Sequence, residues 1–255
     1  MQRGVPCDMT THVPEPPSRD VTVRGGGLAL IAGAVAFIAV FAYLAARFNY
    51  PEVLDGAAAD VLPALLATGA TGRAVWAIYA LLPLLFVPAG VGAFQALRRH
   101  AEGSMRLALH FASIGAFSMM LGLMRWPSIH WELARAYASA DPSQRPLLDA
   151  IFLGLNRYLG NFIGEFLGEL GISAFFLLSA MAILRTDGFP RWVGFMGLVT
   201  ALAGLVGMFR NTTTVVAPVA EVNNYLLPLW MIVFGVSLIR RERRSPTAHG
   251  SFTGR

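Results

Sequence analysis

Apolar and polar stretches alternate along this chain with a long period. A first apolar run, "GLALIAGAVAFIAVFAYLAARF", spans Gly27 to Phe48. Further runs lie at about Ala74–Leu97, about Arg106–Arg125, a fourth ending at Leu184, Trp192–Phe209 and about Val222–Ile239. A helix needs about 20 apolar residues to cross a bilayer, so each run predicts one crossing. The pattern predicts an all-α protein: a bundle of six transmembrane helices, with short interfacial helices on the outer side. Residues 1–26, polar and rich in Pro, Thr and Arg, read as a disordered cytoplasmic N-tail. Residues 27–240 then form the six-helix transmembrane domain, and residues 241–255 a basic cytoplasmic C-tail.

Several segments depart from a simple span. The second contains Pro83 and Pro88, which kink or loosen a helix. Between spans, "PEVLDGAAADVLPALL" and "PSIHWELARAY" read as short interfacial helices. "DPSQ" then reads as a helix start, with Asp141 capping, Pro142 in the first turn and Gln144 completing a capping box. Pro146 places the start of the regular helix as late as that residue. From residue 142 to 185 a continuous helix would be about 66 Å long, twice the hydrocarbon thickness. It must therefore project from the membrane or break near its glycines.

The fourth span opens with "GNFIGEFLGELG", which has three faces on a helical wheel. Asn161, Glu165 and Glu169 share one, and Gly160, Gly164, Gly168 and Gly171 a second. Leu159, Phe162, Ile163, Phe166 and Leu170 form the third. The glycine face suits close packing against a neighbouring helix. The carboxylate face must look into the protein, because lipid does not solvate it. Glu165 falls near the outer boundary and Glu169 about 6 Å deeper. Other polar residues reach the same level: Arg157, Arg125 ending the third span, Arg210 ending the fifth, and Glu221, Asn223 and Asn224 opening the sixth. These residues predict a polar cavity between the outer ends of spans three to six. Its candidate ligand-binding set is Glu165, Glu169, Asn161, Arg157, Arg125, Arg210, Glu221 and Asn224, with Arg125, Arg210 or Arg157 as the partner of the glutamates. The alternative is a set of ion pairs that only fixes helix register.

Composition supports the membrane class and narrows the chemistry. Hydrophobic residues make up 55% of the chain and charged residues 14%, against about 25% charged in soluble domains. All 20 basic residues are arginine. With both tails inside, thirteen arginines fall on the inner side and seven on the outer. Short inner segments such as "RRHAEGSMR" and "RRERR" predict an N-in, C-in protein of the bacterial inner membrane. The net charge of +5 is no nucleic-acid signal in this setting. The single cysteine, Cys7, forms no internal disulfide. No two of the five histidines share a helix face, so no haem or histidine-rich metal site is predicted. His130, Glu132 and Glu165 form one grouping of metal-ligand residue types at the outer surface, without the spacing of an established metal motif. No catalytic signature and no cofactor motif is found.

"FNYPEVL", "YALLPLLFVP", "RWP", "NRYLGNFIGEFLG" and "PRWVGFMG" follow one another through the first five spans. In that order they resemble a bacterial membrane family, domain-of-unknown-function family 4386, over roughly residues 27 to 240. Asn156, Arg157, Tyr158, Gly164, Glu165 and Gly168 match the family's motif, and Glu169 falls outside it. The resemblance implies six spans and brings no activity. The leading functional expectation is binding or translocation of a small polar, ionic or amphiphilic ligand through the outer cavity. Two others stand beside it: a membrane enzyme using Glu165 as acid or base, and a non-catalytic partner or regulator of another membrane protein. The expected partners are the lipid bilayer and a small-molecule or lipid ligand, with no nucleic acid.

Overall fold

The computed structural model describes residues 19–243, and all regular structure among them is helical. Nine α-helices follow in order: α1 Arg19–Phe48, α2 Ala58–Ala67, α3 Gly69–Leu81, α4 Phe86–Met124, α5 Ile129–Ser139, α6 Arg145–Leu155, α7 Gly168–Leu184, α8 Arg191–Gly207 and α9 Ala217–Arg243. A 3-10 segment, Leu82–Leu85, carries Pro83 and joins α3 to α4 as one loosened rod. The element α4 doubles back at Ala101, which leaves helical geometry (φ −160°, ψ 55°). Its two limbs pack on each other, and a Cβ on Gly90 would stand 3.0 Å from the Ala112 Cβ.

Five stretches are long and apolar enough to cross a membrane, and one of them, Gly69–Ser139, holds both limbs of this hairpin. The chain therefore makes six passes. The span helices are apolar around much of their circumference, as a bundle solvated by lipid must be. Val35, Ile38, Ile114, Phe117, Leu121, Phe195, Val199 and Leu202 face outward. Inside, Leu30, Phe86, Phe175, Phe176, Trp230 and Phe234 form the core of the bundle. The protein is an all-α, membrane-embedded helical bundle.

Helices α2, α5 and α6 pack together as a cap over one end of the bundle. Beneath them a second core holds Leu62, Leu65, Trp76, Trp126 and Phe152. The opposite end carries the turn at Ala101, the short loop before α8, and the far ends of α1 and α9.

The helix bounds differ from those expected in two places. The described chain is already helical at Arg19, so residues 19–26, expected as tail, belong to α1. Backbone packing explains this, because a Cβ on Gly26 would stand only 2.6 Å from the Gly92 Cα. Residues 1–18 of the expected tail, and the tail beyond 243, lie outside the described residues. The long fourth helix projects rather than breaking. Helix α6 starts at Arg145 after a turn in which the Gln144 side chain accepts the Asp141 backbone N–H, the returning half of a capping box. It then runs without interruption through Asn156–Leu167 into α7.

Candidate functional site

The segment Asn156–Leu167 is wound as a π-helix of 12 residues. Such i→i+5 winding is rare, mostly a single turn, and concentrated at functional sites. A wider turn brings residues four apart closer to one line. Buried positions here recur at Phe152, Asn156, Gly160, Gly164 and Gly168, every fourth residue. Asn161, Glu165 and Glu169 have the same spacing on an adjoining line.

The glycine line packs on the second limb of α4. A Cβ on Gly122 would lie 2.4 Å from the Gly164 Cα, and one on Gly171 2.6 Å from the Gly115 Cα. Between these crossings, Gly168 meets the Met119 side chain, and at the capped end Gly160 meets the Arg125 guanidinium. The contact follows small-xxx-small packing, with backbone against backbone.

This packing turns the carboxylate line toward α8 and α9. Arg210, in the 3-10 segment Met208–Asn211 that ends α8, bridges both glutamates. Its Nε donates to Glu165 Oε2 at 3.1 Å and its Nη1 to Glu169 Oε2 at 3.1 Å. Asn211 Nδ2 donates to Glu165 Oε2 at 2.7 Å and reaches the Asn161 carbonyl at 3.4 Å. From α9, Asn223 Nδ2 donates to Glu169 Oε1 at 3.2 Å. The side chains of Arg210, Glu165 and Glu169 are 29%, 24% and 15% exposed, so water reaches the cluster only in part. Three spans are thereby tied together by charge-assisted bonds.

Of the three candidate arginine partners, Arg210 is the one that pairs with the glutamates among the described residues. Arg125 is 4% exposed and is held by other partners than the glutamates, donating Nε to Asn156 Oδ1 at 3.1 Å and Nη1 to the Gly122 carbonyl at 2.6 Å. Its guanidinium also stands 5.0 Å from the centre of the Trp126 ring. Arg157, Glu221 and Asn224 face outward, away from the cluster. Asn161 contributes its backbone carbonyl. His130 is fully buried between Trp126 and Phe152, while Glu132 is exposed beside Arg73 and Arg135, so these two do not join Glu165. Asn211 was missed by sequence reasoning, and Asn223 was named with the polar residues opening the sixth span without being chosen for the site. Their signal was position: Asn211 follows the arginine at the end of one span, and Asn223 lies on the buried face at the start of the next.

A group of packed aromatic rings gathers around Tyr50, Trp76, Tyr79 and Trp126. The Tyr50 and Tyr79 hydroxyls are 3.4 Å apart, and Trp76 stacks on Trp126 with centroids 4.9 Å apart. Burial pushes the Tyr50 hydroxyl above the ordinary phenol range. The hydrogen bond with Tyr79 opposes this, the Glu165 charge adds to it, and Arg125 and Arg210 pull it down. Tyr50 therefore stands within the field of all three charged groups. On the other side of Tyr79 lies an apolar cavity of about 60 Å³, lined among others by Leu30, Gly33, Tyr79, Leu123, Leu227 and Met231.

These features define a polytopic membrane protein with an ion-paired polar site at the capped end of its bundle. The chain belongs to the family described as Domain of unknown function (DUF4386), whose model matches residues 26–239. No curated protein and no solved structure matches it.

Proposed function

We propose that this protein binds, and passes across or within the membrane, a small ligand whose polar end carries hydrogen-bond donors or positive charge. The polar end seats at Glu165, Glu169 and Asn223. The observation that supports this is an imbalance of acceptors over donors. Two carboxylates share the one guanidinium of Arg210. A carboxylate accepts only, so the Asn223 amide nitrogen must face Glu169 and its oxygen must face away. That oxygen is buried in a residue only 3% exposed and has no partner among the described residues. A buried acceptor without a donor costs about 1–3 kcal/mol. An ammonium group, with three donors and a positive charge, answers both the surplus carboxylate and the Asn223 oxygen.

The same reading places the capped end outside and both termini in the cytoplasm of a bacterial inner membrane, following the arginine asymmetry. The head-group proposal is tested by the melting temperature of the purified protein with hexylamine, hexanoate or hexanol at equal concentration. Hexylamine raises the melting temperature of the wild type, and raises it less in Glu169→Gln. That variant removes the surplus charge and keeps the Arg210–Glu165 pair. Equal shifts from all three compounds would overturn the proposal.

A further inference from the structure

The cavity beside Tyr79 lies one helical turn from the charged cluster. Leu227, on its wall, follows Asn223 by four residues along α9, so the two share a helix face about 6 Å apart. Met231, also on the wall, lies a further turn from the capped end. Tyr79 forms the wall nearest Tyr50, whose hydroxyl stands within the field of Glu165 and Arg210. The remaining wall comes from α1, the proline-bearing segment Leu82–Leu85, Phe86 at the start of α4, the second limb of α4 and Pro228 of α9, and every other lining residue is apolar. Pro83 and Pro228 both line it. It is thus set where two spans carry the residue that disturbs helix packing most.

We infer that this cavity takes the hydrocarbon chain of a membrane amphiphile whose cationic head occupies the charged cluster. The inference rests on the head-group reading above and specifies the other half of the ligand. Three observations select the occupant. The wall is apolar apart from the Tyr79 hydroxyl at one end. The medium around the bundle at this depth is hydrocarbon, so the molecules that reach the cavity are lipidic. A volume of about 60 Å³ is far below the roughly 300–1,000 Å³ of pockets for drug-sized ligands, so it admits a short stretch of a narrow unbranched chain and no ring system, the rest of the chain lying beyond the cavity. The head then lies toward the capped end and the chain toward the bilayer centre, as in one leaflet.

Gly33 offers the test, because it lines the cavity and its missing Cβ would meet only side chains, the Met231 Cε at 3.2 Å and the Leu85 Cδ1 at 3.6 Å. Gly33→Leu puts bulk into the space from a position where the added Cβ meets side chains. Gly103→Leu, at a position with open space around it, is the control. The full chain is purified and photolabelled with a dodecylamine bearing a diazirine at the chain end, and the labelled residues are mapped by mass spectrometry. Label is expected on Leu123, Leu227 and Met231, with yield at least about fivefold lower in Gly33→Leu and unchanged in Gly103→Leu. Should Gly33→Leu fold poorly, wild-type affinity is read along a series from butylamine to dodecylamine and must rise with chain length. Label confined to the outward-facing Ile114, Phe117 and Leu121, or affinity independent of chain length, would overturn the inference and leave the head-group reading standing. Cavity label of equal yield in Glu169→Gln and with the matching alcohol probe would keep the cavity and overturn the head-group reading.

Discussion

Gly122→Ala places one methyl group between two backbones. Its Cβ would lie 2.4 Å from the Gly164 Cα and 2.9 Å from the Leu159 carbonyl oxygen, whereas ordinary contact begins at 3.4 Å. Real Cβ contacts essentially never fall below 3.0 Å, so α4 and the π segment must move apart by at least about 0.6 Å, and by about 1.0 Å to restore ordinary contact. No rotamer relieves the clash, because both partners are main chain. The movement also disturbs the Gly115–Gly171 crossing and the bond from Arg125 to the Gly122 carbonyl. Overpacking costs about 1–3 kcal/mol, and rigid backbone on both sides puts this variant near the upper end. Gly168→Ala is the internal comparison. Its Cβ would meet the Met119 Cγ, which a turn about χ1 can displace while the nearest backbone atom stays at 3.4 Å, so the cost is nearer the lower end, about 1 kcal/mol. A gap of about 2 kcal/mol is roughly thirtyfold in the unfolding equilibrium. Tryptophan fluorescence of wild type and both variants, followed through unfolding in mixed dodecylmaltoside–SDS micelles, reads that gap. Gly168→Ala as damaging as Gly122→Ala would refute the backbone-contact reasoning.

Three further outcomes are expected. Arg210→Leu leaves two carboxylates facing each other and destabilises toward the low end of the about 3–5 kcal/mol seen for broken buried pairs, since the cluster is partly wet; adding Glu169→Gln should restore part of the loss in the same unfolding assay. Glu165→Gln and Glu169→Gln are each milder than Arg210→Leu, because Arg210 keeps one carboxylate, and the double variant costs more than the sum of the two; strict additivity in a double-mutant cycle would show that the glutamates do not share the arginine. For topology, cysteines at Ala57 and Pro142 in a Cys7-free chain should react with an impermeant maleimide on intact cells, and one at Ser104 should not; the reverse pattern would invert the assigned orientation.

The spans were legible because bilayer thickness imposes a length that any apolar run must meet, whatever its neighbours. The glycine line was legible for a similar reason, since residues without side chains in a lipid-facing segment suit little besides close packing. The winding of that segment was not. A wheel at 100° per residue assumes an α-helix, whereas burial at Asn156, Gly160, Gly164 and Gly168 follows a period of four. Sequence placed Glu165, Glu169, Arg125 and Arg210 at one level of the membrane. Choosing between the arginines needed the third dimension, because the 3-10 end of α8 turns Arg210 toward the glutamates while Gly160 leaves room for Arg125 against α4. The apolar cavity left no trace in the sequence, because its wall is assembled from α1, α4, α9 and the segments around Pro83.

The central claim is that a cationic head group seats at the cluster of Glu165, Glu169, Arg210 and Asn223. Equilibrium binding of tritiated dodecylamine to the protein in lipid nanodiscs, compared between wild type and Glu169→Gln, tests it most directly. The account predicts saturable binding to the wild type and affinity at least about tenfold weaker in Glu169→Gln, equivalent to about 1.4 kcal/mol. Equal affinity in the two proteins would contradict it.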